Sequence, residues 1–231
     1  MFIWFATGNK HKKEELSDIL QSAILQEAVH EFQKGIPETF FELKMPLEAG
    51  LSFDPEETGS SFLENALIKA EKLYQLLEER FPENTGPNGM HPVIAEDSGL
   101  CVDALDGRPG IHSARYGGKN LSSAEKNALV LKELGDKSQR SAHFVCAMTL
   151  YFNPNRFYIA QECVEGELVK NIESAGGKGG FGYDPIFYIP ELGRTMAELS
   201  TEEKNRLSHR GKAGRAIAKL LAGINSQESR K

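Results

Sequence analysis

The sequence places two acidic residues directly after a short apolar run, an arrangement suited to divalent-metal chemistry. Glu96 and Asp97 follow the apolar residues 92–95, and Ser98 and a glycine come next. We predict that residues 92–95 form a buried strand that ends at the two carboxylates, although an apolar run alone does not distinguish strand from helix. Oxygen ligands suit Mg²⁺, which often takes one or two carboxylates together with substrate phosphates. An acidic turn that merely closes a strand is an equal alternative at this point.

A second stretch, TGNKHK at residues 7–12, has the composition of an anion-binding turn. Residues 2–6 predict a buried strand, and residues 10–22 predict a helix with one apolar face. A turn between such elements offers backbone N–H groups and the positive end of the helix dipole to an anion. The stretch lacks the spaced glycine and the GK[ST] ending of a Walker A loop. A plain turn with solvated lysines is the alternative.

The glycine-rich stretch GGKGGFGYD at residues 176–184 is a candidate binding loop. Its GxGxxG match runs into Pro185 and a β-like segment instead of opening a helix, so we reject a dinucleotide-binding loop. We expect Phe181 to offer a stacking face and Asp184 to accept hydrogen bonds from the N–H groups of a ring. The alternative is a β-bulge loop with a core phenylalanine.

Three basic side chains, Lys204, His209 and Arg210, stand near the start of the predicted final helix. Positive charge at a helix start opposes the helix dipole. Such a locally disfavoured arrangement often marks a functional site. A basic surface face is the alternative.

Helix-capping motifs and a hairpin pattern predict the helices and strands that position these residues. Capping boxes predict three helix starts, at Ser61 with Glu64, Ser122 with Glu125, and Ser200 with Glu203. Two β-like runs, residues 141–152 and 157–164, are joined by Asn-Pro-Asn and predict an antiparallel hairpin. The pattern favours a mixed sheet with helices packed on it. Residues 81–91 read as an exposed loop without an assigned role.

Composition limits the classes of protein to consider. The chain has 231 residues and a net charge of −6, so no global field attracts nucleic acid. Its three cysteines fit no zinc spacing, and we expect them to be buried thiols in a reducing compartment. No apolar run approaches the roughly 20 residues of a membrane helix, and the first five residues are too short for a signal peptide. We therefore expect a cytoplasmic protein that contacts neither membrane nor nucleic acid.

Six motifs occur in a fixed order between residues 2 and 221: TGN(x)HK, EETG(x)(x)FLENA, EDSGL, PGI(x)SARY, GGFGYDPIF and EEKN(x)(x)SHRGKA. In these motifs the chain resembles the inosine triphosphate pyrophosphatase family, the house-cleaning purine nucleoside-triphosphate pyrophosphatases. The resemblance implies a mixed α/β fold with a long curved sheet and two lobes around a substrate cleft. It implies one domain over residues 1–231, with a frayed tail at 225–231, and a homodimer. It also implies Mg²⁺-dependent hydrolysis of ITP, dITP and XTP to the monophosphate and pyrophosphate.

The resemblance further implies roles for individual residues. Glu57 and Asp97 would bind Mg²⁺, with Asp97 also acting as the base for the attacking water. Glu96 would support this site rather than bind the metal, because an aspartate is common at its position in the family. The substrate would be bound by Thr7, Gly8, Asn9, Lys10, His11, Lys12, Lys69, Ser98, Phe181, Gly182, Tyr183, Asp184, Lys204, His209 and Arg210. In this set Lys69 would neutralise phosphate charge, and Phe181 would stack on the base.

Selectivity for purines with a 6-keto oxygen would follow from hydrogen-bond pairing. Donors such as His209 and Arg210 match a keto oxygen but leave a 6-amino group unmatched, and each buried unmatched group costs about 1–3 kcal/mol. Two alternatives remain at this stage. One is a pyrimidine-directed pyrophosphatase on a similar fold, and the other is a nucleotide sensor without turnover.

Overall fold

The computed structural model describes residues 2–31, 42–82, 91–118, 120–177 and 181–228. Its strands are β1 (Phe2–Phe5), β2 (Glu42–Lys44), β3 (Val93–Val102), β4 (Ser141–Asn153), β5 (Arg156–Leu168), β6 (Phe187–Ile189) and β7 (Arg194–Thr195). Its α-helices are α1 (Lys10–Glu31), α2 (Phe62–Arg80), α3 (Ser123–Leu134), α4 (Thr201–Leu207) and α5 (His209–Glu228). Short 3₁₀ turns lie between several of these elements.

The strands form one seven-stranded open sheet in the order β2-β1-β3-β4-β5-β6-β7. β1 pairs in parallel with both β2 and β3, whereas β6 pairs antiparallel with β5 and β7. A two-residue turn links β4 to its neighbour β5, which fits an antiparallel hairpin. The predicted mixed α/β class and the predicted hairpin are therefore confirmed.

The chain divides into two compact units. The first unit consists of Met1–Asp97, Ala147–Gln161 and Arg210–Lys231, and the second of Ser98–Cys146 and Glu162–His209. The boundaries between the units fall inside β3, β4 and β5 and after the first residue of α5. The single two-lobed domain with a cleft between lobes stays a prediction.

In the first unit the sheet is covered on both faces. Leu73 and Leu77 of α2 pack on alternate residues of β1 and β3, including Trp4 and Val93. The residues of opposite parity, such as Ile3, Phe5 and Ile94, are also fully buried, as expected for strands with two covered faces. A β-carbon at Gly214 would lie 2.7 Å from Ile19, so α5 approaches α1 closely at this glycine.

The second unit has its own apolar core. The rings of Phe144 and Phe187 lie 4.6 Å apart at its centre, and Val130 and Leu134 of α3 pack into the same cluster. β5 comes close to β6 at Gly166, where a β-carbon would meet the carbonyl oxygen of Tyr188 at 2.5 Å. This core supports the strand ends and loops that carry the predicted base-binding residues.

Two of the three predicted capping boxes are complete. The hydroxyls of Ser122 and Ser200 each accept a hydrogen bond from the backbone N–H three residues later. The side chains of Glu125 and Glu203 in turn accept from the backbone N–H of the capping serine. The box at Ser61 is incomplete, because Glu64 accepts from the backbone N–H and hydroxyl of Ser60 instead. Ser61 still caps α2 through the backbone N–H of Glu64.

The prediction that a strand ends at residues 96–97 is wrong, because β3 continues to Val102. Glu96 and Asp97 are 3% and 7% exposed, so the strand carries two buried carboxylates in its interior. Sequence propensity disfavours acids in strands, but tertiary partners override it. The cations that face these two side chains supply the compensation that burial of charge requires.

Some predicted features fall outside the described residues. Most of the loop at residues 81–91 does so, as do residues 178–180 of the glycine-rich stretch. Helix α1 extends past the predicted end at residue 22, and α5 continues to Glu228, into the segment expected to fray. Within the described ranges, no helix is both long enough and apolar enough to cross a membrane.

Candidate active site

The alternation of side chains along β3 sends Glu96 and Asp97 to opposite faces of the sheet. Asp97 shares the parity of Val93 and Ala95, which pack in the cluster with α2. Glu96 shares the parity of Ile94 and reaches Lys12 of α1 and Arg210 of α5. Two adjacent carboxylates therefore serve two different sets of partners.

Asp97 belongs to a polar cluster built on one face of α2. The ammonium group of Lys69 lies 3.5 Å from Asp97 Oδ1 and 2.8 Å from Glu57 Oε1. Asn65, one helical turn before Lys69, donates its amide N–H to Asp97 Oδ2 at 3.0 Å. Burial raises the pKa of Asp97 and outweighs the opposing effects of Lys69 and Asn65, while the charge of Glu57 raises it further.

Glu57 reaches this cluster from an irregular segment that precedes α2. The segment is fastened to the helix start by three successive residues. Gly59 N–H donates to Asn65 Oδ1 at 2.8 Å, Ser60 donates to Glu64, and Ser61 caps the helix. The carboxylate of Glu57 is thus held near Lys69 by the start of α2.

Glu96 lies in a second, more deeply buried network of charges. Arg210 donates to both oxygens of Glu96 at 2.8 Å through Nε and Nη2, and its Nη1 donates to Glu15 at 2.8 Å. Lys12 Nζ lies 3.0 Å from Glu96 Oε1. Burial alone would raise the pKa of Glu96, but the charges of Arg210 and Lys12 hold it well below its usual range. The sequence suggests a supporting role for Glu96, and this geometry agrees with it.

The predicted anion-binding turn lies between β1 and α1, as expected from the sequence. Asn9 begins the helix by accepting from the backbone N–H of Lys12 at 3.3 Å, and Thr7 Oγ1 accepts from Asn9 N–H at 3.1 Å. Gly8, Lys10 and His11 are exposed. The turn is thus structured by its own polar side chains and presents its middle residues to solvent.

In the second unit, Asp184 organises the start of the predicted base pocket. Its Oδ2 accepts from the backbone N–H of Phe181 and from Lys204 Nζ, both at 2.7 Å. The Phe181 side chain is 58% exposed, although a large aromatic ring is usually buried. The exposed ring is able to stack on a planar ligand, and the backbone of the same residue is bonded to the buried carboxylate of Asp184.

Four further residues of the predicted site lie in the second unit. Tyr183 is buried and donates its hydroxyl to the carbonyl of Ser113 at 2.9 Å, and burial raises the pKa of that hydroxyl. Gly182 has a φ of +66°, a conformation that favours glycine. His209 stacks on Phe144 at 4.8 Å with a 9° angle between the rings. Ser98 lies within β3 and is partly buried.

The donor set in the first unit fits a magnesium ion that also binds phosphate. Among the described residues, no group of three or more His, Cys, Asp or Glu side chains is arranged to hold a metal. Glu57 and Asp97 share the Lys69 ammonium, so their carboxylates lie close enough to act together. One or two carboxylates with substrate phosphates are a usual Mg²⁺ ligand set.

Sequence reasoning missed two residues that contact the predicted site, Asn65 and Glu15. Asn65 lies four residues before Lys69, so helical spacing places both on one face of α2 and is a signal that could have found it. Glu15 pairs with Arg210, which is 195 residues away, and no local pattern indicates that contact.

The fold and these clusters define a mixed α/β protein with buried carboxylate–cation clusters beside a strand–helix turn. A sequence model of the Ham1 family matches residues 3–220. A relative from Treponema denticola, named dITP/XTP pyrophosphatase, is 42% identical over 226 residues, which cover 96% of this chain and all of the relative. A relative of the same name from Geobacillus kaustophilus is 43% identical over 187 residues, 80% of this chain and 84% of its own. The chain belongs to the Ham1 family.

Solved structures agree with this assignment. The Staphylococcus aureus Ham1 protein matches with a TM-score of 0.76 and 35% identity, and the match covers 97% of this chain and all of that one. A HAM1 protein from Coxiella burnetii matches with a TM-score of 0.74 and 36% identity, over 96% of this chain and 99% of that one. The predicted resemblance to this group of proteins is confirmed.

Proposed function

We propose that this protein hydrolyses ITP, dITP and XTP to the nucleoside monophosphate and pyrophosphate, and so removes non-standard purine nucleotides from the nucleotide pool. The observation that carries the proposal is the cluster of Glu57, Lys69 and Asp97. It joins a buried acid, a second carboxylate and a shared ammonium within one unit. Relatives that cover nearly the whole chain bear the name dITP/XTP pyrophosphatase, which supports the same reaction.

Asp97 is the group that would accept a proton from the attacking water. Burial raises its pKa, and a base whose pKa lies closer to the working pH transfers protons more effectively. Lys69 would contribute positive charge to the phosphate oxygens. Phosphoryl transfer depends mainly on positioning and on charge neutralisation, so it needs no covalent nucleophile from the protein.

Magnesium is part of the proposal, with Glu57 and Asp97 as its protein ligands. When bound, the ion would supply positive charge that stabilises the departing pyrophosphate. The turn at residues 7–12 would orient the triphosphate through its backbone N–H groups and the dipole of α1.

The purine base would be bound by residues of the second unit. Phe181 would stack on the ring system, and Lys204 and Asp184 would hydrogen-bond to its polar edge. His209 would donate to the 6-keto oxygen. A direct contact of Arg210 with the base stays a prediction, since its guanidinium donates to Glu96 and Glu15 in this structure. A homodimer, implied by the resemblance, is also part of the proposal.

The first experiment measures pyrophosphate release from ITP in the presence of Mg²⁺ by the wild type and by Asp97→Asn. The substitution keeps the shape of the side chain but removes the base, so we expect kcat to fall by about 10²- to 10⁴-fold. Asp106→Asn is the matched control, because it makes the same chemical change at a turn residue of the second unit that has no role in the proposed site. Equal activity of Asp97→Asn and the wild type would refute the proposed base.

The same assay with other nucleotides separates the alternatives. Faster cleavage of dTTP or UTP than of ITP would favour a pyrimidine-directed pyrophosphatase. Release of single phosphates would indicate a phosphohydrolase. Binding of ITP without any product would indicate a sensor.

A further inference from the structure

We infer that Asn65 is a positioning residue that holds the carboxylate of Asp97 and the segment carrying Glu57 in one fixed arrangement. The inference rests on the proposed function of this cluster. Asn65 is fully buried on α2, and its side-chain amide donates one hydrogen bond and accepts another. Its Nδ2 donates to Asp97 Oδ2 at 3.0 Å, and its Oδ1 accepts from Gly59 N–H at 2.8 Å.

The chemistry of these two neighbours requires an amide at position 65. An ionised carboxylate such as Asp97 only accepts hydrogen bonds, and the backbone N–H of Gly59 only donates. A carboxamide carries a donor and an acceptor on one rigid plane, so it satisfies both neighbours at once. An aspartate would lack the donor, and an apolar side chain would leave two buried polar groups without this partner.

Gly59 is shaped for the same contact. A β-carbon at this position would lie 2.7 Å from Asn65 Oδ1 and 2.7 Å from Glu64 Cβ. Only a glycine lets the backbone approach the start of α2 this closely. Because Gly59 follows Glu57 by two residues, the amide of Asn65 ties the segment carrying that carboxylate to α2.

Asn65 and Lys69 act on different atoms of Asp97. The ammonium of Lys69 lies 3.5 Å from Oδ1, and the amide of Asn65 is bonded to Oδ2. The two residues are four apart on one helix, so both contacts come from one rigid element. Together they fix the rotation of the Asp97 carboxylate, and Asn65 adds the link to Glu57.

Loss of this link would loosen the two proposed metal ligands relative to each other. Groups that orient the ligands of a metal typically contribute about 10- to 100-fold to metal affinity or to activity. We therefore expect Asn65 to affect metal affinity and kcat more strongly than KM, since its hydrogen bonds are to Asp97 and to the segment carrying Glu57.

The test compares Asn65→Ala with Glu71→Ala, a substitution at an exposed position of the same helix. Mn²⁺ affinity is measured from the electron paramagnetic resonance signal of free Mn²⁺ without nucleotide, and kcat and KM are measured for ITP. We expect Asn65→Ala to lower Mn²⁺ affinity and kcat by about 10- to 100-fold. Glu71→Ala should change Mn²⁺ affinity by only about twofold, as for other surface substitutions.

A second variant covers the case in which Asn65→Ala does not fold. Gly59→Ala leaves Asn65 in place and adds one methyl group against its amide oxygen. Like Asn65→Ala, Gly59→Ala should lower both the Mn²⁺ affinity and kcat. A folded Asn65→Ala or Gly59→Ala with wild-type Mn²⁺ affinity and kcat would overturn the inference.

The two proposals fail in distinguishable ways. A wild-type protein that releases no pyrophosphate, but whose Mn²⁺ affinity depends on Asn65, would refute the proposed function and support the inference. An active wild type with an equally active Asn65→Ala variant would support the proposed function and refute the inference about Asn65. A wild type that neither binds Mn²⁺ nor hydrolyses ITP would overturn both.

Discussion

At Lys69 a single ammonium group lies between two carboxylates, 2.8 Å from Glu57 and 3.5 Å from Asp97. The ammonium offsets the repulsion between these acids when no other cation is near. A metal ion that binds the same carboxylates competes with it for their charge. Lys69 is therefore expected to weaken metal binding and yet to promote turnover.

The substitution Lys69→Gln tests both expected effects of the ammonium, on metal binding and on turnover. Removing the ammonium takes away a positive charge that both carboxylates share, so we expect tighter Mn²⁺ binding. Pyrophosphate release should fall by about 10²- to 10³-fold, as when one charge-stabilising donor is removed from an active site. Lys72→Gln, an exposed lysine on the same helix, is the control for a lost surface charge. Weaker Mn²⁺ binding by Lys69→Gln would contradict the competition.

At the scale of elements, β3 joins the two charge clusters. Its length was not predictable from local sequence, because Glu-Asp-Ser-Gly is unfavourable in a strand and resembles a turn. The strand persists because Glu96 meets Arg210, 114 residues away, and Asp97 meets Asn65, 32 residues away. Such distant pairings leave no local pattern.

Glu96→Gln measures what the buried network contributes to stability. The substitution leaves Arg210 with a neutral partner, and breaking a buried ion pair typically costs about 3–5 kcal/mol. We expect a loss of this size in the free energy of urea unfolding at pH 7. Glu15→Gln should lose less, because the Glu15 side chain is 20% exposed against 2% for Glu96.

The stabilisation by Glu96 should also depend on pH. Its pKa in the folded protein is lowered well below the ordinary 4.5, so its contribution is complete above pH 4.5. It is lost as the pH falls from there through the folded-state pKa. The difference in unfolding free energy between wild type and Glu96→Gln should be constant from neutral pH to the ordinary pKa and shrink below it. A difference that grows in acid would contradict the assignment.

Elements whose signals are local were predictable from the sequence. The caps at Ser122 and Ser200 depend on residues three apart, and the β4–β5 hairpin depends on a short turn. The glycine-rich stretch leads into the 3₁₀ turn Asp184–Ile186 and β6, in agreement with the rejection of a dinucleotide loop. Asp97 was a candidate from the acidic pair itself, whereas Glu57 and Lys69 were proposed only through a family resemblance, since neither has a local signal of its own.

For the whole molecule, the sharing of strands between the two units has a consequence for unfolding. Val93 of β3 belongs to the core of the first unit, and Leu100 of the same strand belongs to the core of the second. Loss of either core would therefore release strands that the other core needs. We expect the units to unfold together rather than as independent domains.

Trp4, the single tryptophan of the chain, makes this expectation testable. It lies in the core of the first unit, and its fluorescence reports on that unit alone. Its thermal transition should coincide with the loss of far-ultraviolet circular dichroism, which reports on both units. A fluorescence transition well separated in temperature from the circular dichroism transition would show independent unfolding.

The opposite orientation of Glu96 and Asp97 also affects how the protein can change over evolutionary time. Substitutions around Glu96 meet α1 and α5, whereas those around Asp97 meet α2, so each acid constrains a different set of positions. An insertion or deletion of one residue in β3 before Glu96 would exchange the faces of the two acids. Lineages that retain the function should therefore tolerate no change of length between Val93 and Asp97.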